Sequence, residues 1–289
     1  MNLAVGFFDG VHIGHSKILA RADAALTFIE HPLSVLVPER APALLMTSEE
    51  RMEAIASALG TKASSGFDKV RALPFTRELA AELPEDFAAR LRRDYPDLET
   101  IFCGPNWNFG AGGNGNAEFL RKCGFAVEEI PFEELGGEPV SSTRIRAALK
   151  DGDLPLANAM LGRPFAVCGE VVPGKGEGRR LGFPTLNTKS RNPCLAQLLP
   201  FGVYVVDTEW GRAVANWGKA PTMGDQAWAE PLFEVHLIKP AQPVNPLKQF
   251  KFSLVRYLRP ERRFASVEEL RRQISSDIFS ASHSAQNIL

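Results

Sequence analysis

The stretch GFFDGVHIGH, residues 6–15, decides the fold of the amino-terminal half of the chain. The apolar run LAV at residues 3–5 precedes it and a helical pattern follows it, which predicts a strand, a glycine-rich turn and the start of a helix. A helix start binds phosphate because its backbone N–H groups are unpaired and carry a partial positive charge. His12 and His15 would lie at this helix start, and Gly14 would let an anion approach the backbone. The stretch therefore predicts phosphate chemistry, although a turn with two surface histidines has the same letters.

Composition and charge exclude several classes of protein. The 289 residues, 45% hydrophobic and 23% charged, predict a globular protein of one or two domains. We find no apolar run of about 18 residues for a membrane span and no secretory signal at the start. The four cysteines lack metal-type spacing, which favours reduced thiols in a cytoplasm. Residues 1–163 carry 17 Lys and Arg against 23 Asp and Glu, and the remainder carries 16 against 11. No basic, aromatic-interleaved stripe accompanies this asymmetry, so we expect neither nucleic acid nor membrane as a partner.

Strand and helix patterns alternate through residues 1–150, which predicts a doubly wound α/β domain. Ligands bind at the carboxyl ends of the strands in such sheets. His31 follows a strand pattern at residues 24–28, so it either joins the first two histidines or is a solvated strand end. The loop rich in Gly and Asn at residues 104–116 follows another strand pattern, at residues 101–103. Its composition predicts an irregular pocket wall or lid, or a flexible surface loop.

The segment VSSTRIR, residues 140–146, predicts a helix start with its own phosphate-binding groups. Its hydroxyl side chains are good helix caps. A cap alone would not explain their pairing with Arg144 and Arg146, which can clamp phosphate from one turn further along. Ser142, Thr143 and Arg144 are therefore candidate phosphate ligands.

Beyond a short linker helix at residues 151–163, helix signals nearly vanish. Short strand patterns separated by turns then predict a small antiparallel β-barrel over residues 164–289, with a helix at residues 266–277. The strand patterns lie at residues 165–172, 203–206, 212–216, 232–238 and 250–257.

The segment PGKGEGRRLGFPTLN, residues 173–187, carries a second group of candidate residues. Its glycines and cations suit phosphate, although a plain β-turn region explains the letters equally well. Thr185 and Asn187 are two residues apart, so in an extended segment their side chains share a face. Mg²⁺ relies on substrate oxygens and waters, and could use these two neutral oxygens beside ATP.

The segment LFEVHL, residues 232–237, supplies a candidate base. Its apolar residues alternate onto one face of a strand, which leaves Glu234 and His236 on the other. Glu234 could deprotonate a substrate hydroxyl within hydrogen-bond reach, or could simply face solvent. The segment NWGKAPT, residues 216–222, predicts a further pocket-lining loop.

Together these stretches resemble the bifunctional riboflavin kinase/FAD synthetases of bacteria, in the same order and over nearly the whole chain. The matching segments are GFFDGVHIGH, TFIEHP, GPNWNFG, VSSTRIR, LGRPF, GKGEGRRLGFPTLN, FGVYVV, NWGKAPT, FEVHL and LRPERRFASVEELRRQI. The resemblance implies a Rossmann-like nucleotidyltransferase domain for FMN adenylylation, followed by a riboflavin kinase barrel. The barrel would transfer the γ-phosphate of ATP to riboflavin. The first domain would couple the resulting FMN to AMP from a second ATP, releasing pyrophosphate.

Carried over residue by residue, the resemblance implies a role for each candidate. His12 and His15 would stabilise charge on the ATP phosphates, and Glu234 would be the base acting on the ribityl hydroxyl. Thr185 and Asn187 would hold Mg²⁺ with ATP. The ATP- and phosphate-binding set would be Gly6, Phe7, Asp9, Gly14, Ser142, Thr143, Arg144, Gly174, Lys175, Gly176 and Arg179. The flavin-binding set would be His31, Asn106, Asn216, Thr222 and Arg259.

Two other hypotheses remain beside the enzyme with two activities. The segment between His15 and Thr27 is shorter than the family pattern, which leaves open a kinase with a degenerate adenylyltransferase module. A flavin- or nucleotide-binding regulator without catalysis is the other. Both predicted sites keep their chemical groups, so we expect both activities. The sequence leaves the oligomeric state open.

Overall fold

The computed structural model of the chain describes residues 1–60, 69–174, 176–219, 230–240 and 248–283. The chain divides into two compact units, Met1–Ser142 and Thr143–Leu289. This division lies ahead of residue 150, where the first domain is predicted to end, because the helix beginning at Ser142 groups with the second unit. The domain bounds at residues 150 and 163 stay predictions. In the described part of the chain, no helix is long and apolar enough to cross a membrane.

The first unit is a parallel sheet with helices on both faces, which confirms the predicted doubly wound α/β class. Its strands are β1 (Asn2–Val5), β2 (Ala24–Phe28), β3 (Val70–Leu73), β4 (Thr100–Cys103), β5 (Asn108–Phe109), β6 (Gly115–Asn116), β7 (Ala126–Glu129), β8 (Glu134–Leu135) and β9 (Glu138–Pro139). Its helices are α1 (Ile13–Leu19), α2 (Pro32–Leu36), α3 (Ser48–Ala58), α4 (Arg77–Ala80), α5 (Pro84–Asp94) and α6 (Ala117–Lys122). The main sheet has the order β3-β2-β1-β4-β7, and all its pairs are parallel.

Strand β1 is apolar from Leu3 to Val5 because its alternate side chains enter two different cores. Leu3 and Val5 pack in one cluster with Leu91 of α5. Ala4 points the opposite way and packs in the other cluster with Ile18 of α1. A strand covered on both faces requires a continuous apolar run. Full burial of a side chain the size of leucine or valine stabilises the fold by about 1.5–3 kcal/mol.

The strand order reverses between β1 and β4. Strands β2 and β3 lie to one side of β1, whereas β4 and β7 lie to the other. In an open α/β sheet, such a reversal leaves a crevice beyond the carboxyl ends of the two central strands, and ligands bind there. The loops that begin at Gly6 and Gly104 leave the sheet at this crevice.

Local signals set the ends of the longer helices in this unit. Thr47 caps α3: its hydroxyl accepts the Glu50 N–H at 3.2 Å, and the Glu50 carboxylate accepts the Thr47 N–H at 2.9 Å. This reciprocal capping box satisfies two donors that a helix start leaves unpaired. Helix α5 begins at Pro84, which has no N–H to lose, and carries arginines in its last turn. The same signals in the sequence predict helices at residues 47–59 and 84–93, so both helices lie where they are predicted.

The loop after β4 is not wholly irregular, so that prediction was wrong over part of its length. Strands β5 and β6 pair as a short hairpin, with Phe109 opposite Gly115. A Cβ at Gly115 would collide with the Phe109 ring. The Phe109 ring is buried 4.5 Å from the Phe87 ring. Packing of one aromatic ring therefore organises a segment whose composition predicts a loop.

The second unit is a closed antiparallel barrel with a C-terminal helix, as predicted. Its strands are β10 (Phe165–Val172), β11 (Leu186–Ser190), β12 (Gly202–Thr208), β13 (Gly211–Gly218), β14 (Leu232–Leu237) and β15 (Gln249–Pro260). Its helices are α7 (Ser142–Lys150), α8 (Leu154–Leu161), α9 (Glu177–Arg180), α10 (Leu195–Leu198) and α11 (Val267–Ser282). The strand order is β10-β11-β14-β13-β12-β15, and β15 pairs with β10 to close the barrel.

Aromatic side chains fill the barrel. Trp217 stacks on Phe233 with ring centroids 4.4 Å apart, and the Phe252 ring meets Phe233 edge-on at 5.0 Å. All three side chains are buried. Aromatic pairs in these geometries contribute about 0.5–1.5 kcal/mol beyond the area they bury. Trp217, which lies within the NWGKAPT segment, is therefore part of the barrel core.

Two features of the barrel unit differ from the sequence-based expectations. Strand β11 was not among the predicted strand patterns because LNTKS is mostly polar, and its Thr188 is fully buried in the barrel. Helix α11 continues to Ser282, past the predicted end at Asp277. Val267 of α11 is 52% exposed, whereas Asp277 is buried. The acidic side chain lies on the buried face because an arginine of β15 pairs with it.

Candidate active sites

The loop after β1 takes an unusual backbone path at the crevice of the sheet. Phe8 and Val11 have positive φ angles of 58° and 39°, which non-glycine residues rarely adopt. Phe8 is nevertheless buried, and its ring lies where a Cβ at Gly6 would approach it to 2.9 Å. Strain of this kind persists only where surrounding contacts hold it, and it is frequent at functional sites.

The two predicted catalytic histidines lie together at the start of α1. Their rings stack 3.6 Å apart, and the His15 N–H donates to His12 Nδ1 at 3.3 Å. Because His12 Nδ1 accepts this hydrogen bond, a neutral His12 carries its own proton on Nε2. A Cβ at Gly14 would come within 3.3 Å of the His12 ring, so glycine makes room for the stack. The edge of the Phe8 ring supports His15 from 5.3 Å.

Burial controls the charge of His15. Desolvation first, and the neighbouring His12 second, lower the pKa of His15 well below its usual value of 6.5. The side chain is therefore neutral at pH 7. Its Nδ1 is buried and meets no hydrogen-bond partner among the described residues. His15 is thus an uncharged side chain packed closely against His12, and its Nδ1 can still form a hydrogen bond.

Two further predicted phosphate ligands make contacts that hold this loop. Both carboxylate oxygens of Asp9 accept the Leu45 N–H, at 3.1 and 3.2 Å, and Asp9 is buried. The Ser142 hydroxyl donates to the backbone oxygen of Asp9 at 2.9 Å. Thr143 and Arg144 follow Ser142 in the first turn of α7. Asp9 and Ser142 therefore tie the loop to distant segments of the chain.

The carboxyl end of β2 carries His31, which is predicted to bind flavin. His31 caps α2 by accepting the Leu33 N–H at 3.1 Å. The edge of its ring contacts the Phe7 ring at 4.7 Å. The Phe7 carbonyl in turn accepts a hydrogen bond from the Thr27 hydroxyl at 3.2 Å. Asn106, the other predicted flavin ligand of this unit, is exposed in the loop after β4.

Sequence reasoning missed Arg51 of α3. This side chain is 0% exposed, and its guanidinium carbon lies 3.9 Å from the centre of the Phe7 ring. A signal was present, because Arg51 precedes the buried Ile55 by four residues and so shares its face of the helix. The sequence around it, SEERME, is mostly polar, so the pattern does not indicate that this face of the helix is buried.

In the barrel, the predicted site residues line up across neighbouring strands. Asn187 of β11 lies opposite Glu234 of β14, which lies opposite Asn216 of β13. The same row continues through β12 to Arg259 of β15. Phe233, which precedes Glu234, points into the barrel. The row therefore lies on the outer face, as the alternation in LFEVHL predicts.

Glu234 is placed to hold its proton more tightly than an ordinary glutamate. The pKa of Glu234 is raised mainly because burial removes water from around its carboxyl group. The negative charges of Glu177 and Glu261 raise it further. Glu261 accepts a hydrogen bond from the Asn216 side chain at 3.2 Å. It also fills the space where a Cβ at Gly218 would lie.

Asn187 has an unused oxygen beside this carboxylate. Its Oδ1 is buried and has no hydrogen-bond partner within the described part of the chain. Its amide nitrogen occupies the space that a Cβ at Gly174 would take, so glycine is required there. Thr185 lies two residues earlier, after a turn in which the Phe183 N–H donates to the Gly178 carbonyl at 2.7 Å.

The remaining barrel candidates lie in different settings. Gly176 has a φ of 73° and begins α9, where Arg179 is exposed. Arg259 is engaged by α11: its Nε and Nη2 donate to the Asp277 carboxylate at 3.1 and 2.7 Å. Lys175 and Thr222 lie outside the described residues. Flavin binding by Arg259 stays a prediction, and its observed contact is with the C-terminal helix.

Comparison with known proteins finds a separate family match for each half of the chain. Residues 1–144 match the family model of FAD synthetase, and residues 161–285 match that of riboflavin kinase. A bifunctional riboflavin kinase/FMN adenylyltransferase of Pseudomonas fluorescens is 34% identical, over 96% of this chain and 90% of that protein. The Bacillus subtilis protein of the same name is 30% identical, over 95% and 89%.

One solved structure is also similar over almost its full length. It is described as a macrolide-efflux protein from Streptococcus pneumoniae and aligns with a TM-score of 0.80 at 26% identity, covering 98% of this chain and 94% of that one. The fold is thus shared with a protein of a different description. The two family matches and the relatives above 30% identity together show that the chain belongs to the bifunctional riboflavin kinase/FMN adenylyltransferase family.

Proposed function

We propose that the chain makes FAD from riboflavin in two ATP-dependent steps, one in each unit. The barrel phosphorylates riboflavin to FMN, and the sheet unit adenylylates FMN with release of pyrophosphate. The observation that carries the proposal is the grouping of reactive side chains within each unit. The stacked His12 and His15 lie at the sheet crevice, and Glu234 lies between two asparagines on the barrel wall.

In adenylyl transfer, an FMN phosphate oxygen attacks the α-phosphorus of ATP and pyrophosphate leaves. The step needs positioning and charge stabilisation rather than a covalent intermediate with the enzyme. His12 and His15, with the backbone at Gly6, Phe7 and Gly14, would contact the departing phosphates. An arriving triphosphate raises the pKa of a neutral imidazole, because opposite charge favours the protonated form. His15 can therefore bind as a neutral group and become a cation as charge develops.

The first turn of α7 would contact the same nucleotide. Ser142, Thr143 and Arg144 offer hydroxyl groups and a guanidinium at a helix start, which is a phosphate-binding combination. Asp9 would support this binding by holding the loop backbone rather than by contacting phosphate, since both of its carboxylate oxygens already accept the Leu45 N–H.

In the kinase step, the terminal ribityl hydroxyl attacks the γ-phosphorus of ATP and ADP leaves. Glu234 would accept the hydroxyl proton as the new O–P bond forms. Its raised pKa makes the ionised carboxylate a stronger base than an ordinary glutamate. Gly174, Lys175, Gly176 and Arg179 would contact the ATP phosphates.

The residues of the barrel site fit a Mg²⁺–ATP complex. The buried, unpartnered Oδ1 of Asn187 is the kind of neutral oxygen that this ion accepts, and Thr185 supplies a hydroxyl two residues away. These two residues would hold the ion. When bound, Mg²⁺ neutralises charge on the transferring phosphoryl group.

Flavin would be bound separately in each unit. His31 and Asn106 would contact FMN at the sheet crevice, and Asn216, Thr222 and Arg259 would contact riboflavin at the barrel. We expect a cytoplasmic enzyme whose partners are these small substrates and not nucleic acid.

Chromatography of the products tests the function directly. The purified chain is incubated with riboflavin, ATP and Mg²⁺, and separately with FMN, ATP and Mg²⁺. We expect FMN and ADP, followed by FAD and pyrophosphate. FMN alone would reduce the function to a kinase, and flavin binding without any product would indicate a regulator.

A further inference from the structure

Arg51 is a buried arginine whose contacts lie just past the carboxyl ends of β1 and β2. Its Nη2 donates to the Phe28 carbonyl at 2.5 Å and to the Ile29 carbonyl at 2.9 Å, where β2 ends. Its Nε and Nη1 are buried and find no hydrogen-bond partner among the described residues. Burying a charge with donors unsatisfied is costly, so a purely structural site would be better filled by an apolar side chain.

The negative charges near Arg51 offset the cost of burying its charge only in part. Burial lowers the pKa of Arg51, while Asp9, Glu30 and Glu49 act in the opposite direction. The close contacts of the side chain are backbone oxygens and an aromatic face.

Those contacts connect the loop after β1 with the backbone at the end of β2. The guanidinium stacks on Phe7, from the loop after β1, while it binds the backbone after β2. The Phe7 ring also contacts His31, the N-cap residue of α2, with ring centroids 4.7 Å apart. A planar guanidinium can stack on a ring and donate hydrogen bonds in its own plane at the same time, which lysine cannot do.

We infer that Arg51 is a positioning residue for FMN adenylylation, which holds Phe7 in place and, through the Phe7 ring, His31, the predicted flavin ligand. The inference rests on the proposed function of the sheet unit. Arg51 does not touch the reacting phosphates; it acts through Phe7. Removing it leaves the stacked histidines in place but lets the Phe7–His31 pair shift.

Kinetics of two variants at Arg51 test the inference. In Arg51→Met an unbranched apolar side chain remains, while the charge, the donors and the guanidinium plane are lost. We expect kcat/KM for FMN adenylylation to fall by about a hundred-fold, because small misplacements at a reacting centre have effects of this size. KM for FMN should rise more than KM for ATP. Arg51→Lys should recover only part of the loss.

The control is Arg92→Met, at an exposed arginine that has contacts of the same two kinds. Arg92 of α5 also donates to a backbone carbonyl, that of Cys123, and lies over a phenylalanine ring, Phe125, at 4.8 Å. Both partners precede β7, so they lie at the amino end of that strand, whereas the crevice lies beyond the carboxyl ends of the strands. Its FMN and ATP constants should equal those of the wild type.

A double-mutant cycle separates positioning from simple stabilisation. Phe7→Leu alone should raise KM for FMN, and adding it to Arg51→Met should change little further, because both act through one contact. Riboflavin phosphorylation by the barrel of the same molecules should be unchanged throughout. Effects of Arg51 and Phe7 that multiply fully would overturn the inference, and Arg51→Lys and Phe7→Leu still test it if Arg51→Met does not fold.

Two further outcomes are decisive. If Arg51→Met melts at a lower temperature yet has wild-type FMN constants well below that temperature, Arg51 is structural only and the inference is wrong. If the wild-type chain makes FMN but no FAD, the adenylylation half of the proposed function fails and the inference fails with it. The wild-type assay thus tells the two failures apart.

Discussion

The two candidate sites are built in different ways, although in each of them burial favours the uncharged form of one side chain. That side chain is His15 in the sheet unit and Glu234 in the barrel. In the sheet unit, the loop with His12 and His15 is held by partners distant in sequence, such as Leu45 on Asp9 and Ser142 on the Asp9 carbonyl. In the barrel, the strand ladder itself sets Glu234 between two asparagines. A site built from a loop depends on many remote contacts, whereas a site built on strands depends on register.

The largest expected effect is on the barrel. Glu234→Gln keeps the size of the side chain but removes the base, so FMN formation should fall by about a thousand-fold, within the usual range for general base catalysis. Conversion of FMN to FAD should not change. The measurement is the rate of each product by chromatography. Glu170→Gln, an exposed strand glutamate of β10, is the control. A Glu234→Gln variant that still phosphorylates riboflavin at the normal rate would remove Glu234 from the mechanism.

The converse change is in the sheet unit. His15→Asn removes the imidazole from the stack while keeping a hydrogen-bonding side chain. We expect FAD formation to fall by about 10²–10³-fold, as for loss of one group that stabilises developing charge. FMN formation in the same sample should remain normal. Loss of both products in a folded variant would contradict two independent sites.

A third change tests whether Arg259 supports the fold or the flavin. Asp277→Ala leaves the Arg259 guanidinium, which is 19% exposed, without its carboxylate partner. Breaking a largely buried ion pair should lower the free energy of unfolding by about 3 kcal/mol. Denaturant unfolding followed by tryptophan fluorescence measures this change. Glu118→Ala breaks the exposed pair with Lys122 and should cost less than about 0.5 kcal/mol. Equal effects of the two substitutions would show that the Arg259 pair is not a structural anchor.

The smallest expected effect concerns pH. Glu234 must be ionised to act as a base, and its pKa is raised, so FMN formation should decline on acidification at a higher pH than an ordinary glutamate would allow. Glu261→Gln removes one of the negative charges responsible and keeps an oxygen that accepts from Asn216. The acidic limb of the kinase profile should then move to lower pH, while the adenylylation profile stays in place. A limb that does not move would assign the titration to another group.

Local patterns predicted much of this architecture. Alternation in LFEVHL placed Glu234 on the outer face of a strand, and capping letters placed α3 and α5 almost to the residue. Strand β11 and the β5–β6 hairpin were not predicted, because their residues are polar or glycine-rich and pair only with partners elsewhere in the fold. Arg51 was missed for a related reason. A charged residue among other charged residues gives no sign in the sequence that its side chain is buried.

The sequence by itself determined which residues are candidates for the two sites and which face of its own element each one occupies, because periodicity and helix caps are local properties of the chain. Only the tertiary structure decided which elements become neighbours. It put Asn187, Glu234 and Asn216 in one row through strand pairing, and it set Arg51 against Phe7 through the packing of α3. Such pairings join residues far apart in sequence, and their energy arises from burial that no single segment can achieve alone.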